Sequence, residues 1–188
     1  MPTHVALLRG INVGGHNKVA MQDLRAVVTS LGHTDVATYI QSGNVVFTTT
    51  KRSTAALATE LERAIADAVG VRPRVVVLSR AEVAKVVDDN PYPAERDLKK
   101  LHAIFLTDEA GPDIVERVAA AQEQAAGKGS RDSATVVGRT LYLHTPDGFG
   151  RSELAALLTR GSGGGATGVA GTARNWATVT KLLDLFGA

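Results

Sequence analysis

The chain has no cysteine. That excludes disulfides, thiolate metal sites and a cysteine nucleophile, and it suits a reducing compartment. Aromatic residues are scarce, at 4%, and Tyr39 and Phe47 alone do not make a base-stacking platform of the kind RNA-binding sheets use. Neither sign of charge is in excess. With 21 Lys and Arg against 19 Asp and Glu, the formal net charge is +2 and the sequence pI is about 9.0. A dedicated nucleic-acid binder carries a basic stripe. Here the basic doublets are Lys51-Arg52 and Lys99-Lys100, which read as solvated loop ends. No apolar run approaches the ~20 residues of a membrane-spanning helix. The start, Met1-Pro2-Thr3-His4, leads into the apolar residues 5–8, too short a run for a signal-peptide core. A cytoplasmic protein with no membrane partner is expected.

The five histidines are His4, His16, His33, His102 and His144. None stands at metal-ligand spacing from a carboxylate or a second histidine, so no metal site is expected, and no motif names a cofactor. His4, His102 and His144 fall on predicted strands and read as structural.

The 188 residues suffice for one large domain or two small ones packed together. A chain of this size buries roughly 70% of the surface its unfolded form exposes, without help from a metal or disulfide. The order of elements is informative. A strand over 4–9 is followed by a glycine-rich loop over 10–18 and a helix bearing Met21, Leu24, Val27, Val28 and Leu31 at helical spacing, with Gly32 as its stop. Residues 36–41 and 45–49 read as strands about the turn Ser42-Gly43-Asn44. A helix over 53–69 presents Leu57, Leu61, Ile65 and Ala68 on one face and ends at Gly70; residues 74–78 form a fourth strand. The order β-α-β-β-α-β is that of the ferredoxin-like plait.

Ser79 and Glu82 have the spacing of a capping box for a connecting helix. Asn90-Pro91-Tyr92-Pro93 breaks the chain into halves. The second half partly echoes the first, with a strand over 102–106, a helix from Pro112 to about residue 125, a hairpin over 134–144 around Gly138-Arg139, and helices over 151–159 and 175–186. Between the last two lies a glycine-heavy stretch, 161–171, read as a loop that a short strand can interrupt. The expected fold class is α+β: a ferredoxin-like subdomain over 1–90 and a C-terminal α+β subdomain over 91–188. Strands such as 5–8 and 103–106 are apolar at successive positions. A sheet with one wet face alternates instead, so both faces are expected to be covered and the halves to share a core.

The chemistry candidates concentrate at one place. The loop Arg9-Gly-Ile-Asn-Val-Gly-Gly-His-Asn-Lys18 lets the backbone approach a ligand at Gly10, Gly14 and Gly15, with Arg9 and Lys18 at its ends. Such a loop before a helix suits an anion. It is not a phosphate-binding P-loop, because His16 and Asn17 stand where Lys and Ser or Thr are needed. The dinucleotide fingerprint fails because the second glycine, Gly14, stands four residues after the first, Gly10. In a plait, strands one and two run parallel with strand three between them. The loop then faces the turn after strand two at roughly 10 Å, twice the inter-strand spacing. Arg9, Asn12, His16 and Lys18 would thus face Gln41, Ser42 and Asn44 across a cleft. Arg174, within Thr172-Ala-Arg-Asn-Trp176, is a second cation that closes this cleft if the last helix docks there. The alternative is purely structural: Gly14-Gly15 turns the chain, Asn12 and Asn17 bond nearby backbone, and Trp176 anchors the core.

Three segments have the look of a known family. Val5-Ala-Leu-Leu-Arg-Gly-Ile-Asn-Val-Gly-Gly-His-Asn-Lys18 with Met21 and Leu24, then Thr38-Tyr-Ile-Gln-Ser-Gly-Asn-Val-Val-Phe47, then Ala173-Arg-Asn-Trp-Ala-Thr-Val-Thr-Lys-Leu182, resemble three blocks of the bacterial family called domain of unknown function 1697. The resemblance implies a two-subdomain α+β fold related to the ferredoxin-like plait, and no established activity. Ala20 departs from the proline common in that family, and the glycines of 161–171 depart before Arg174.

The leading functional reading is a binding protein for a small anionic or nucleotide-like ligand at the cleft. Arg9 and Lys18 pair the charge, the glycine amides cradle it, and Gln41, Ser42 and Asn44 orient the rest. The alternative is an enzyme on a small phosphorylated or polar substrate with His16 as general acid or base, since His titrates in the right range; no second catalytic group stands at a telling spacing. RNA or single-stranded DNA is the third reading, disfavoured by the small net charge.

Overall fold

The structure, a computed structural model, describes residues 1–159 and 171–187. The expectation for the glycine-heavy stretch therefore lies outside the described residues, apart from Gly171. The fold is mixed α+β, with two four-stranded antiparallel sheets and six helices among the described residues. It divides into two compact units, Met1–Lys85 with Thr180–Ala188, and Val86–Val179.

In the first unit β1 (His4–Arg9), α1 (Met21–Ser30), β2 (Thr34–Tyr39), β3 (Asn44–Thr48), α2 (Thr54–Val69) and β4 (Arg74–Ser79) follow in turn, with α3 (Arg80–Asp88) after them. The sheet order is β2-β3-β1-β4. β1 is central and antiparallel to both β3 and β4. It carries Ala6 and Leu8 on the face covered by the helices, where Val45, Phe47, Val75 and Val77 join them against Leu24, Val27 and Val28 of α1 and Leu57, Leu61 and Ile65 of α2. Each such side chain contributes about 1.5–3 kcal/mol on burial. The alternate residues Val5, Leu7, Val46, Val76 and Leu78 are buried too. That is why these strands read as apolar runs rather than alternations.

Local signals end the helices as the sequence suggests. The Ser53 hydroxyl accepts from the Ala56 amide at 3.2 Å, and Gly70 closes α2 in the left-handed region. Ser79 and Glu82 make the capping box: the Ser79 amide donates to Glu82 Oε2 at 2.7 Å and the Glu82 amide to Ser79 Oγ at 3.3 Å. β2 differs from expectation. It starts at Thr34, bulges before Ala37, and stops at Tyr39, because Ile40 takes a positive φ and leaves the strand.

The second unit repeats the order more completely than its sequence suggests. β5 (Leu101–Leu106), α4 (Pro112–Ala126), β6 (Ser133–Val137), β7 (Thr140–His144), α5 (Glu153–Thr159) and β8 (Gly171–Asn175) follow, with a 3-10 turn at Phe149–Arg151 before α5; α6 (Trp176–Leu185) comes last, and its residues from Thr180 on belong to the first unit. Sheet order is β6-β7-β5-β8, so β5 is central as β1 is. Ile104, Leu106, Leu141 and Leu143 meet Ile114, Val118, Ala121 and Ala125 of α4 and Leu154, Ala155 and Leu158 of α5. Asn175 caps α6, its Oδ1 accepting from the Thr178 amide at 2.8 Å. Trp176 is a core residue, 6.0 Å from the Tyr142 ring centroid.

Candidate functional site

The loop between β1 and α1 is built from left-handed backbone. Within residues 10–17, Gly10, Asn12, Gly14, Gly15 and Asn17 all have positive φ, between 50° and 80°. Val13-Gly14-Gly15-His16 is a tight turn closed by the His16 amide donating to the Val13 carbonyl at 3.0 Å. Positive φ at both central residues is what a type I′ turn requires, and glycine meets it without strain. Asparagine tolerates the same region better than other side chains, and both asparagines of the loop are used. Asn17 Nδ2 donates to the Gly10 carbonyl at 3.0 Å. Asn12 Nδ2 donates to the Val19 carbonyl at 2.9 Å and its Oδ1 accepts from the Val19 amide at 2.9 Å. The same Nδ2 reaches the Gln41 carbonyl at 3.0 Å.

That last bond changes the geometry expected from topology. The loop and the turn after β2 meet rather than face each other across an open gap. The Leu8 amide donates to the Gly43 carbonyl at 2.8 Å. A Cβ added to Gly43 would lie 2.8 Å from Leu8 Cβ and from Ile11 Cδ1, so the missing side chain is what allows the approach. Buried Asn44 then closes the turn, donating to the Tyr39 carbonyl and to Ser42 Oγ, each at 3.0 Å.

On the α1 side of the Asn12–Gln41 bond an open depression of ≈ 460 Å³ remains, lined by Asn12, Gly15, Lys18, Val19, Ala20 and Gln41. Four of these lining residues were candidates on sequence. The exposed Lys18 brings the cationic charge. Ala20 precedes α1 with no side-chain cap, so the first-turn amides are not taken by a capping group. Exposed Asp23 is the acid of that first turn.

The other candidates are placed differently. Arg9 is half-buried at the end of β1, in register with Arg74. Gly10 and Gly14 shape the loop. His16 is exposed at the base of the Gly14-Gly15 turn and does not line the depression. Ser42 and Asn44 hold the turn. Arg174 lies on β8 in the second unit, buried, its Nη1 donating to Thr172 Oγ1 at 2.7 Å and to the Ala173 carbonyl at 2.8 Å. Burial pushes its guanidinium down to about 10, which still leaves it charged at neutral pH.

Two features escaped the sequence reading. Ile40 has φ 50° and is 50% exposed, a left-handed β-branched residue where steric strain is greatest. In the second unit His144 Nε2 and Glu95 Oε2 are 2.8 Å apart, with the Tyr92 ring stacked on His144 at 5.4 Å. The bond to His144 holds the Glu95 carboxyl below its usual range. The pair is 49 residues apart in sequence, and no local pattern announces it. A larger groove of ≈ 700 Å³ runs along α2, but Lys51 and Glu60 on its wall are already paired with each other at 2.6 Å. Among the described residues no group of three His, Asp or Glu is placed to hold a metal, and no helix is long and apolar enough to cross a membrane.

The second unit solves the same junction more simply. The Leu106 amide donates to the Arg139 carbonyl at 2.9 Å, the counterpart of the Leu8–Gly43 bond. Its connector to α4 is five residues, 107–111, against eleven, 10–20, in the first unit.

Comparison with known proteins bears on these same residues. The model of the family described as "Protein of unknown function (DUF1697)" matches residues 1–142. A solved structure of a conserved bacterial protein from Streptococcus pneumoniae is similar over 98% of this chain and 98% of its own, with 26% sequence identity and a TM-score of 0.69. No curated protein matches the chain.

Proposed function

The chain belongs to the family described as protein of unknown function (DUF1697), and from its own geometry we propose that it is a small cytoplasmic binding protein whose ligand is a small anion-bearing molecule. Its site is the depression beside the 10–20 connector. Each unit is read as a ferredoxin-like plait, a reading supported by the repeated β-α-β-β-α-β order and by a sheet order with the first strand at the centre.

The observation that carries the proposal is the contrast between the two connectors. Joining a central strand to the following helix takes five residues in the second unit and eleven in the first. Of the connector residues Ile11 and Val19 enter the core, while Asn12 and Asn17 hold the exposed remainder in place. Loops elaborated on a rigid scaffold are where binding resides. Lys18 supplies positive charge, and the uncapped first turn of α1 adds amides and the positive end of the helix dipole. In this reading Arg9, His16, Ser42 and Asn44 do not contact the ligand, and Arg174, on β8 of the second unit, is not part of the site.

Inorganic phosphate titrated into isotope-labelled protein tests the reading by NMR. The amide resonances of Gly15, Lys18 and Met21 should move together and saturate, and Lys18→Ala should abolish the response while the protein stays folded. Shifts centred elsewhere, or a response unchanged in Lys18→Ala, would remove the proposal.

A further inference from the structure

The segment between α3 and β5, residues 89–100, runs for twelve residues without regular structure, and none of them is buried. Most connections inside compact domains are shorter, about 4–6 residues. Its stretch 90–97 folds on itself. The Tyr92 amide donates to Asn90 Oδ1 at 2.9 Å, the Glu95 amide to the Tyr92 carbonyl at 3.2 Å, and the Asp97 amide to Glu95 Oε1 at 2.7 Å. Among the described residues, two side-chain hydrogen bonds join this stretch to the sheet of the second unit. Tyr92 Oη meets Thr135 Oγ1 of β6 at 2.9 Å, and Glu95 Oε2 meets His144 Nε2 of β7 at 2.8 Å.

The second of these bonds is built to sense a proton. Nε2 of His144 is held on the Glu95 carboxylate. The other ring nitrogen, Nδ1, has no hydrogen-bond partner among the described residues, and the side chain is 22% exposed. A proton reaches Nδ1 from water without breaking the contact to Glu95, and it adds the attraction of opposite charges to the hydrogen bond. The Tyr92 ring, stacked on His144 with centroids 5.4 Å apart, then faces a cation. Lys100 is the other charge that acts on Glu95. The residue opposite His144 on β6 is the uncharged Ser133, and beyond it Arg131 is paired with Asp147. No second histidine stands among these groups. The bond from His144 leads in holding the Glu95 carboxyl below its usual range, so this acid keeps its charge where histidines titrate.

We propose that residues 90–97 are a strap that responds to pH, held on β6 and β7 while His144 carries a proton and loosened when His144 loses it. Histidine is the side chain that changes charge between about pH 5 and 8. Protonation adds attraction to the pair, so the hold strengthens as the pH falls through that range. It is lost again only in stronger acid, where the depressed Glu95 carboxylate is neutralised. A segment without buried residues has little else to keep it in place.

Backbone order parameters from NMR relaxation, measured at about pH 5 and about pH 8, test the strap at the two limits of the histidine range. In wild type the amides of Ala94, Glu95 and Arg96 should lie near the rigid value of about 0.85 at the lower pH and fall toward about 0.6 at the higher one. The change should share its midpoint with the His144 ring resonances, while β7 stays rigid at both. Glu95→Gln removes the carboxylate and His144→Gln the proton-binding ring, and either should leave the strap equally loose at the two pH values. Glu95→Gln lies in a segment with no buried residue, so it serves if His144→Gln folds poorly. Thr135→Val removes the bond to Tyr92 and should loosen the strap at both pH values while keeping the response. Equal order at the two pH values in wild type, or a response that survives in Glu95→Gln, overturns the proposal.

Discussion

Asn12 and Gln41 are 29 residues apart in sequence, and Asn12 Nδ2 donates to the Gln41 carbonyl at 3.0 Å. One side chain thereby ties the loop after β1 to the turn after β2, while also bonding both backbone groups of Val19. Three hydrogen bonds from one half-buried amide make Asn12 the residue on which the shape of the depression depends.

Replacing Asn12 with alanine removes all three bonds and places a non-glycine residue at φ 55° without the local compensation asparagine provides. The expected loss is about 1–3 kcal/mol, read from urea denaturation. Amide exchange at Val19 should rise by more than at core positions of β1. Asn12→Asp keeps the acceptor for the Val19 amide but loses both donors, and should fall between wild type and alanine.

Two glycines with almost the same φ separate backbone strain from packing. Gly15 is at φ +80° with no atom near a would-be Cβ, and Gly43 is at φ +79° with Leu8 and Ile11 at 2.8 Å. Gly15→Ala should cost about 1–2 kcal/mol, the left-handed penalty alone. Gly43→Ala adds overpacking of about 1–3 kcal/mol, so its midpoint in a denaturant titration should fall clearly further.

Burial pushes the His102 imidazole down to about 4, and its Nδ1 has no hydrogen-bond partner among the described residues. The ring lies 4.2 Å from that of Phe149. Below about pH 6.5 the unfolded chain protonates this histidine while the folded chain keeps it neutral. The unfolded state then binds more protons, so stability falls as the pH drops from about 6.5 to 4 and levels off, for this group, below that. His4 and His33 are shifted in the same direction, with desolvation as the leading cause. Denaturation series at pH 7 and pH 5 should show the loss, and His102→Leu should flatten part of it. A slope unchanged in that variant would mean the acid sensitivity arises elsewhere.

The Tyr142 hydroxyl donates to the Val86 carbonyl at 2.8 Å from a fully buried ring. Tyr142→Phe keeps the ring beside Trp176 and leaves that carbonyl without this donor. The expected loss is about 1–2 kcal/mol, measurable by thermal unfolding. No loss would mean that water replaces the hydroxyl.

The sequence by itself determined what short windows decide. Helical faces were readable because Leu57, Leu61 and Ile65 recur at the period of a helix and must find a core. The Ser79–Glu82 capping box and the Gly14-Gly15 turn were readable because each needs only neighbouring atoms. Tertiary structure decided the rest. Ile40 has strand propensity, yet it takes left-handed backbone because β3 must begin at Asn44 in register with Leu7. Residues 171–175 have a weak strand pattern, yet they form β8 because β5 offers an edge of unpaired backbone groups that a neighbouring strand satisfies. Arg174 thereby becomes a buried strand residue instead of a helix-entry cation. His144 and Glu95 meet only when the segment before β5 is laid across β7. Local propensity acts over a few bonds. Strand register and side-chain meetings across tens of residues follow from satisfying backbone hydrogen bonds and filling the core all at once, and no single stretch of sequence carries that information.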